Sequence, residues 1–197
     1  MGKKRQLLAP IELEQRWQRL KGSRIEKVEY AEMEYSTGHP GWSAESSEFD
    51  SLDFGVNLTM DNGQTLAIEW GSEYAHYGIS LQKGSLNLKE EGVRFWPASE
   101  CWQHVLGVPI KSVCFYWSWW TQADSKGVFF RKYFPQDVQI GFESGASIVA
   151  SVLEFRNDSE PIYAADHITI FFRQEDLKTH GLCDHGPHLA SHLVPWP

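Results

Sequence analysis

Cysteine is scarce in this chain: three residues in 197 (Cys101, Cys114, Cys183). So few, and an odd number, exclude a disulfide framework and point to a reducing compartment, the cytoplasm. Long apolar runs are missing too. The opening MGKKRQLLAPIELE is basic with no sustained apolar stretch behind it, and no later run approaches the ~20 residues that span a bilayer, so neither secretion nor membrane insertion is expected. Gln6 lacks the hydroxyl that a myristoylation motif starting at Gly2 would need. No nucleophile elbow, phosphate-binding glycine loop, dinucleotide fingerprint or zincin helix occurs, which argues against an enzyme and leaves no cofactor to expect. Basic residues are nearly absent from 26 to 73, where Lys27 alone faces eleven carboxylates.

What is present is repetition. WQRLKGSRIEKVEY (17 to 30) reappears in outline as WQHVLGVPIKSVCF (102 to 115), with Trp17, Gln18, Gly22, Ile25 and Val28 meeting residues 85 positions downstream. VNLTMDNGQTLAIEW (56 to 70) overlays VQIGFESGASIVASV (138 to 152) at an offset of 82. Leu13, Trp17 and Leu20 at helical spacing predict a helix over 10 to 21, closed by Gly22, and Ser99 can cap a shorter one ended by Gly107 and Pro109. Strands are predicted at 24–35, 110–120, 76–82 and 166–172. Parity fixes the hairpins. A two-residue Asn62-Gly63 turn would mix apolar and polar sets on one face. A three-residue loop with Gly63 left-handed pairs Leu58 with Leu66, Val56 with Ile68 and Phe54 with Trp70, and the same choice at Gly145 pairs Ile140 with Ile148 and Val138 with Ala150.

The expectation is an α+β protein: a duplicated helix, strand, long loop, hairpin and strand unit, with two small antiparallel sheets about a pseudo-twofold axis. The first unit covers 1–84, a linker 85–97, the second unit 98–173 and a His-rich tail 174–197, both units forming one compact domain. Residues 36–50 and 121–135 are the long loops, a length that often marks binding elements.

The copies differ in charge. Segment 26–73 sums to −10 in a chain of −8, and at the repeat offset Glu26, Glu29, Glu32 and Glu34 stand where the second copy has Lys111, Cys114, Trp117 and Trp119. Either the acids are a solvated face, or they steer a basic protein partner. On the second reading the partner-binding residues are Glu26, Glu29, Glu32, Glu34, Glu45, Glu48, Asp50, Asp53, Glu69 and Glu73, with Trp42 in the acidic loop as aromatic anchor. Nucleic acid is disfavoured because phosphates need a positive stripe.

Two rivals stand beside this. A metal-dependent enzyme would draw on His180, Cys183, His185, His188 and His192 of the tail, whose side chains are zinc-ligand types at a spacing that fits no standard zinc module. A small-ligand binder would use the tryptophans. Alternation assigns Val113, Phe115, Trp117 and Trp119 to a core face and leaves Tyr116 and Trp120 on the other.

The second copy resembles small bacterial proteins of the polymorphic-toxin immunity type. The resemblance rests on Trp102, Leu106, Gly107, Pro109 and Ile110, then Pro135, Asp137, Val138, Ile140, Phe142, Ser144 and Gly145, then Ala165, Asp166 and Ile168 to Phe172. It implies a cytoplasmic, non-enzymatic inhibitor that blocks a cognate toxin, often by an acidic surface. It carries over no functional residue.

Overall fold

Burial alternates along Phe49–Leu52 and from Val113 to Trp117, as in strands with one face in a core, while Gly55 to Leu58 and Ile168–Phe171 are buried throughout. The computed structural model describes residues 10–34, 49–71, 78–88, 91–123, 126–156, 160–163 and 166–179. Helix α1 (Pro10–Trp17) continues as a 3-10 turn (Gln18–Leu20), and helix α2 is Gln174–Thr179. The strands are β1 (Ile25–Met33), β2 (Phe49–Leu52), β3 (Gly55–Met60), β4 (Thr65–Gly71), β5 (Gly78–Lys83), β6 (Val93–Pro97), β7 (Ile110–Ala123), β8 (Phe129–Phe142), β9 (Ser147–Ser151), β10 (Leu153–Arg156), β11 (Glu160–Tyr163) and β12 (Ile168–Phe171). They form a first sheet ordered β5-β4-β3-β1-β6, a second ordered β2-β12-β9-β8-β7, and the pair β10-β11.

The expected α+β class, with its duplicated helix-led unit, is therefore corrected to a mostly β fold. The second helix does not form: Glu100–His104 is a 3-10 turn with no side-chain cap, because the Ser99 hydroxyl donates instead to Asp50 at 2.5 Å. Gly107, at φ 71°, ends the segment. The second long loop is corrected as well, since residues 121–135 lie largely in β7 and β8, which pair rung by rung out to Ala123 and Phe129. Residues 85–97 supply β6, an edge strand on β1, and β2 leaves the first sheet's segment to pair with β12 in the second.

The turn argument matches the observed register. Leu58 pairs with Leu66 and Val56 with Ile68, while Ile140 pairs with Ile148 and Val138 with Ala150. Gly63 and Gly145 hold φ of 77° and 89°, the left-handed conformation that costs glycine least. At the sheet junction the backbone bonds are reciprocal: Gly22 N–H donates to Ile110 O and Gly107 N–H to Ile25 O, each at 2.8 Å. One core fills the space between the sheets, with Trp17, Ile25, Tyr30, Leu58 and Ile68 from one side and Trp102, Phe115, Val138, Ile140 and Ile170 from the other.

Candidate functional site

Most of the acidic residues expected to form a docking face are engaged within the protein. On β1 the inward parity is Val28, Tyr30, Glu32, all buried. Glu32 survives there because its carboxylate accepts the N–H groups of Met33 at 2.8 Å and Asp53 at 2.9 Å. Burial and the adjacent Asp53 push its pKa up to about 7. Asp50 on β2 is fully buried, accepting hydrogen bonds from Tyr30 Oη and from Ser99, while Trp102 Nε1 donates to Tyr30 Oη at 2.6 Å. Burial raises the Asp50 pKa, and burial beside Asp50 raises that of Tyr30. Glu32 and Asp50 are thus corrected from surface contacts to interior groups, their desolvation offset by dedicated donors.

The others divide. Asp53 Oδ1 lies 2.8 Å from His167 Nε2, Glu34 pairs with Arg94 at 2.7 Å, Glu29 with Lys27 at 2.7 Å, and Glu69 accepts from Gln82 Nε2. Glu26 is exposed. The exposed cations Lys27 and Arg94 stand among these acids. Trp42, Glu45, Glu48 and Glu73, and the tail residues His180, Cys183, His185, His188 and His192, lie outside the described residues. Among the described residues no group of three His, Cys, Asp or Glu side chains could hold a metal ion, and Cys101 and Cys114 are free thiols.

Sequence reasoning missed two features. The first is the set of acids around His167: Asp53 and Asp166 on its ring nitrogens and the charge of Glu154. The hydrogen bond to Asp53 raises the His167 pKa, burial opposes it, and the charges of Asp53 and Glu154 add to the rise. Parity along β1 was the available signal for Glu32; nothing local signals the partnership of Asp53 with a histidine 114 positions on.

The second is the outer half of the β7–β8 hairpin. An extra residue in β8, Gln136, shifts the register between Tyr116 and Trp117. Its Nε2 donates to Val152 O at 2.6 Å. β9 pairs with β8 only over Asp137–Gly141, so beyond this bulge Trp117–Ala123 and Phe129–Pro135 form a two-stranded ribbon. The parity that buries Phe115 and Trp117 continues outward to Trp119, 44% exposed, and the ribbon ends in Val128 and Phe129, 59% and 75% exposed. Residues 126–132, KGVFFRK, contain three cations and no anion. The signal in sequence was the aromatic-rich stretches on either side of Gly127, YWSWW (116–120) and FFRKYF (129–134).

No family model, no curated protein and no solved structure matches this chain.

Proposed function

We propose that this chain is a non-enzymatic interaction protein, an immunity-type inhibitor that grips a protein toxin with the β7–β8 ribbon. The observation that supports this reading is the concentration of large exposed apolar side chains, Trp119, Val128 and Phe129, on one projecting element. Soluble proteins rarely leave such groups together in water without a binding role, and aromatic anchors contribute most where they fill a partner's pocket.

The test is protection. Co-expressed with the toxin encoded in the adjacent reading frame, the wild-type chain restores growth and co-purifies. Val128→Ser with Phe129→Ser, both at exposed positions, keeps the fold and loses protection at least about tenfold, since truncating an interface anchor typically costs over ~1.4 kcal/mol of binding. Full protection by the double variant would discard the ribbon as the contact.

A further inference from the structure

The first sheet ends on β6, whose neighbour among the described residues is β1 alone. Backbone parity decides what this edge offers. Glu34 N–H donates to Gly92 O at 2.9 Å and Ala98 N–H to Val28 O at 3.3 Å, and the register between them sets Glu32 against Arg94 and Tyr30 against Trp96. In an antiparallel ladder every second residue turns its N–H and C=O to the same neighbour, so Gly92, Arg94, Trp96 and Ala98 face β1. Val93 and Phe95 therefore turn both groups outward, and Pro97 turns out a carbonyl without an N–H. Arg94, Phe95 and Pro97 are exposed, with Val93 and Trp96 half-buried. Sheet edges are usually guarded by lysine, a bulge or a covering segment. The sequence VRFWP has no lysine and pairs with β1 without a register shift, and its proline leaves the outward acceptors in place.

We propose that β6 is a self-association edge, on which two copies of this chain pair antiparallel about a two-fold axis through Phe95. That register closes on itself: Phe95 N–H of each copy donates to Phe95 O of the other, and Val93 N–H of each donates to Pro97 O of the other. Every outward N–H of the strand is used, and the N–H that Pro97 lacks leaves only the Val93 carbonyl to water. Charge selects this register over its nearest rival. A seam centred on Arg94 makes as many backbone bonds, but it sets Arg94 opposite its own copy in a close pair, where like charges repel. Centred on Phe95, the seam places Arg94 opposite Trp96 of the other copy, a cation beside an aromatic ring, and Val93 opposite Pro97. Arg94 is the one charge in residues 93–99, and Glu34 pairs with it at 2.7 Å. Two chains of net charge −8 thus meet along an edge whose own charge is compensated. Phe95 shares the outer face of the sheet with Ala31, and the two Phe95 rings extend the apolar cluster of Ala31, Ala67 and Leu86 across the seam.

A seam formed by a five-residue strand belongs to the weak class of interface, so the full chain is followed by sedimentation equilibrium from ~10 μM to ~1 mM. A monomer–dimer equilibrium is expected. Hydrogen exchange over the same range should show the amides of Val93 and Phe95 gaining protection with concentration, while those of Arg94 and Trp96, already bonded to β1, stay constant. Phe95→Lys puts like charges directly opposite each other at an exposed site and should weaken association at least about tenfold. Val128→Ser with Phe129→Ser should associate as the wild-type chain does, because the seam is independent of the ribbon. A chain that stays monomeric throughout overturns the proposal. So does a dimer whose Val93 and Phe95 amides remain unprotected, or one that the ribbon variant dissolves and Phe95→Lys does not.

Discussion

β1 and β7 occupy matching places at the start of the two antiparallel meanders, and four buried positions correspond at the repeat offset. Ile25, Val28, Tyr30 and Glu32 are buried on β1; Ile110, Val113, Phe115 and Trp117 are buried on β7. The side chains differ in kind. Where β7 sends a phenyl and an indole into the core, β1 sends a phenol and a carboxylate, each met by groups from β2 or its turn: Asp50 for Tyr30 and the Asp53 N–H for Glu32. One backbone pattern therefore serves two ends. The polar version recruits a crossing strand into the neighbouring sheet. The apolar version needs no such partner and continues past the core as the ribbon.

The most severe way to break this comparison is to give β7 the acid of β1. Trp117→Glu would place a carboxylate at a 4% exposed site within the apolar core. A buried charge without a partner costs several kcal/mol, and the lost ring adds a cavity of ~3–5 kcal/mol. We expect loss of the cooperative unfolding transition, measured by urea denaturation.

Tyr30→Phe is gentler and directed at the polar strand. It keeps the ring but strips donors and acceptors from the Asp50–Tyr30–Trp102 network, leaving Asp50 with Ser99 alone among the side-chain donors described above. A cost of ~1–3 kcal/mol is expected. A cost under ~0.5 kcal/mol would mean that the network contributes little to holding β2.

These two substitutions also mark what could be read from sequence. The hairpin registers were legible because period-2 parity and a glycine in a three-residue loop are local facts. The inward position of Glu32 was equally available, since the parity that assigned Trp117 to the core assigns Glu32 there too; composition suggested solvent, and parity prevailed. The failed second helix was not legible, because the Ser99 hydroxyl that could cap it is engaged by a residue 49 positions away. The same holds for β2: only tertiary pairing with β12 makes a strand of FDSL. The ribbon was misassigned to a long loop, whereas cross-strand aromatic pairs such as Trp119 with Tyr133 stabilise extended structure on either side of a turn.

The comparison extends to pH. The second sheet has its own buried acid, Asp137, which accepts from Ser151 and whose pKa burial pushes up to about 7. A carboxyl raised in the folded state holds a proton that the unfolded chain has already released, so it favours folding at low pH and loses that effect between ~4 and about 7. Asp137→Asn should therefore flatten part of the decline in urea midpoint across this range.

Gly63→Val and Gly145→Val sharpen the comparison further down the scale. A Cβ added at either position would meet no atom within 4 Å, so the cost is left-handed backbone strain alone, ~1–2 kcal/mol. The two losses should agree within ~0.5 kcal/mol by thermal or urea denaturation. Unequal losses would show that the hairpins carry different strain despite their matching registers.

The smallest effect should come from the acids that the first sheet leaves at its surface. Glu26 and Asp61 are exposed, beside the first rung of β1 with β3, where Ile25 pairs with Met60. Reversing both to lysine changes formal charge by +4, yet exposed charges act through water and mobile salt, and substitutions of this type usually alter stability by less than ~0.5 kcal/mol. Function separates the alternatives more sharply than stability does. If the ribbon is the contact, toxin protection by the double reversal should equal that of the wild-type chain, while Val128→Ser with Phe129→Ser abolishes it. A double reversal that loses protection would instead return the binding face to the acidic edge of the first sheet. The exposed aromatic tip would then need another explanation, because it lies on the sheet whose matching positions, Lys111, Cys114, Trp117 and Trp119, carry no acid.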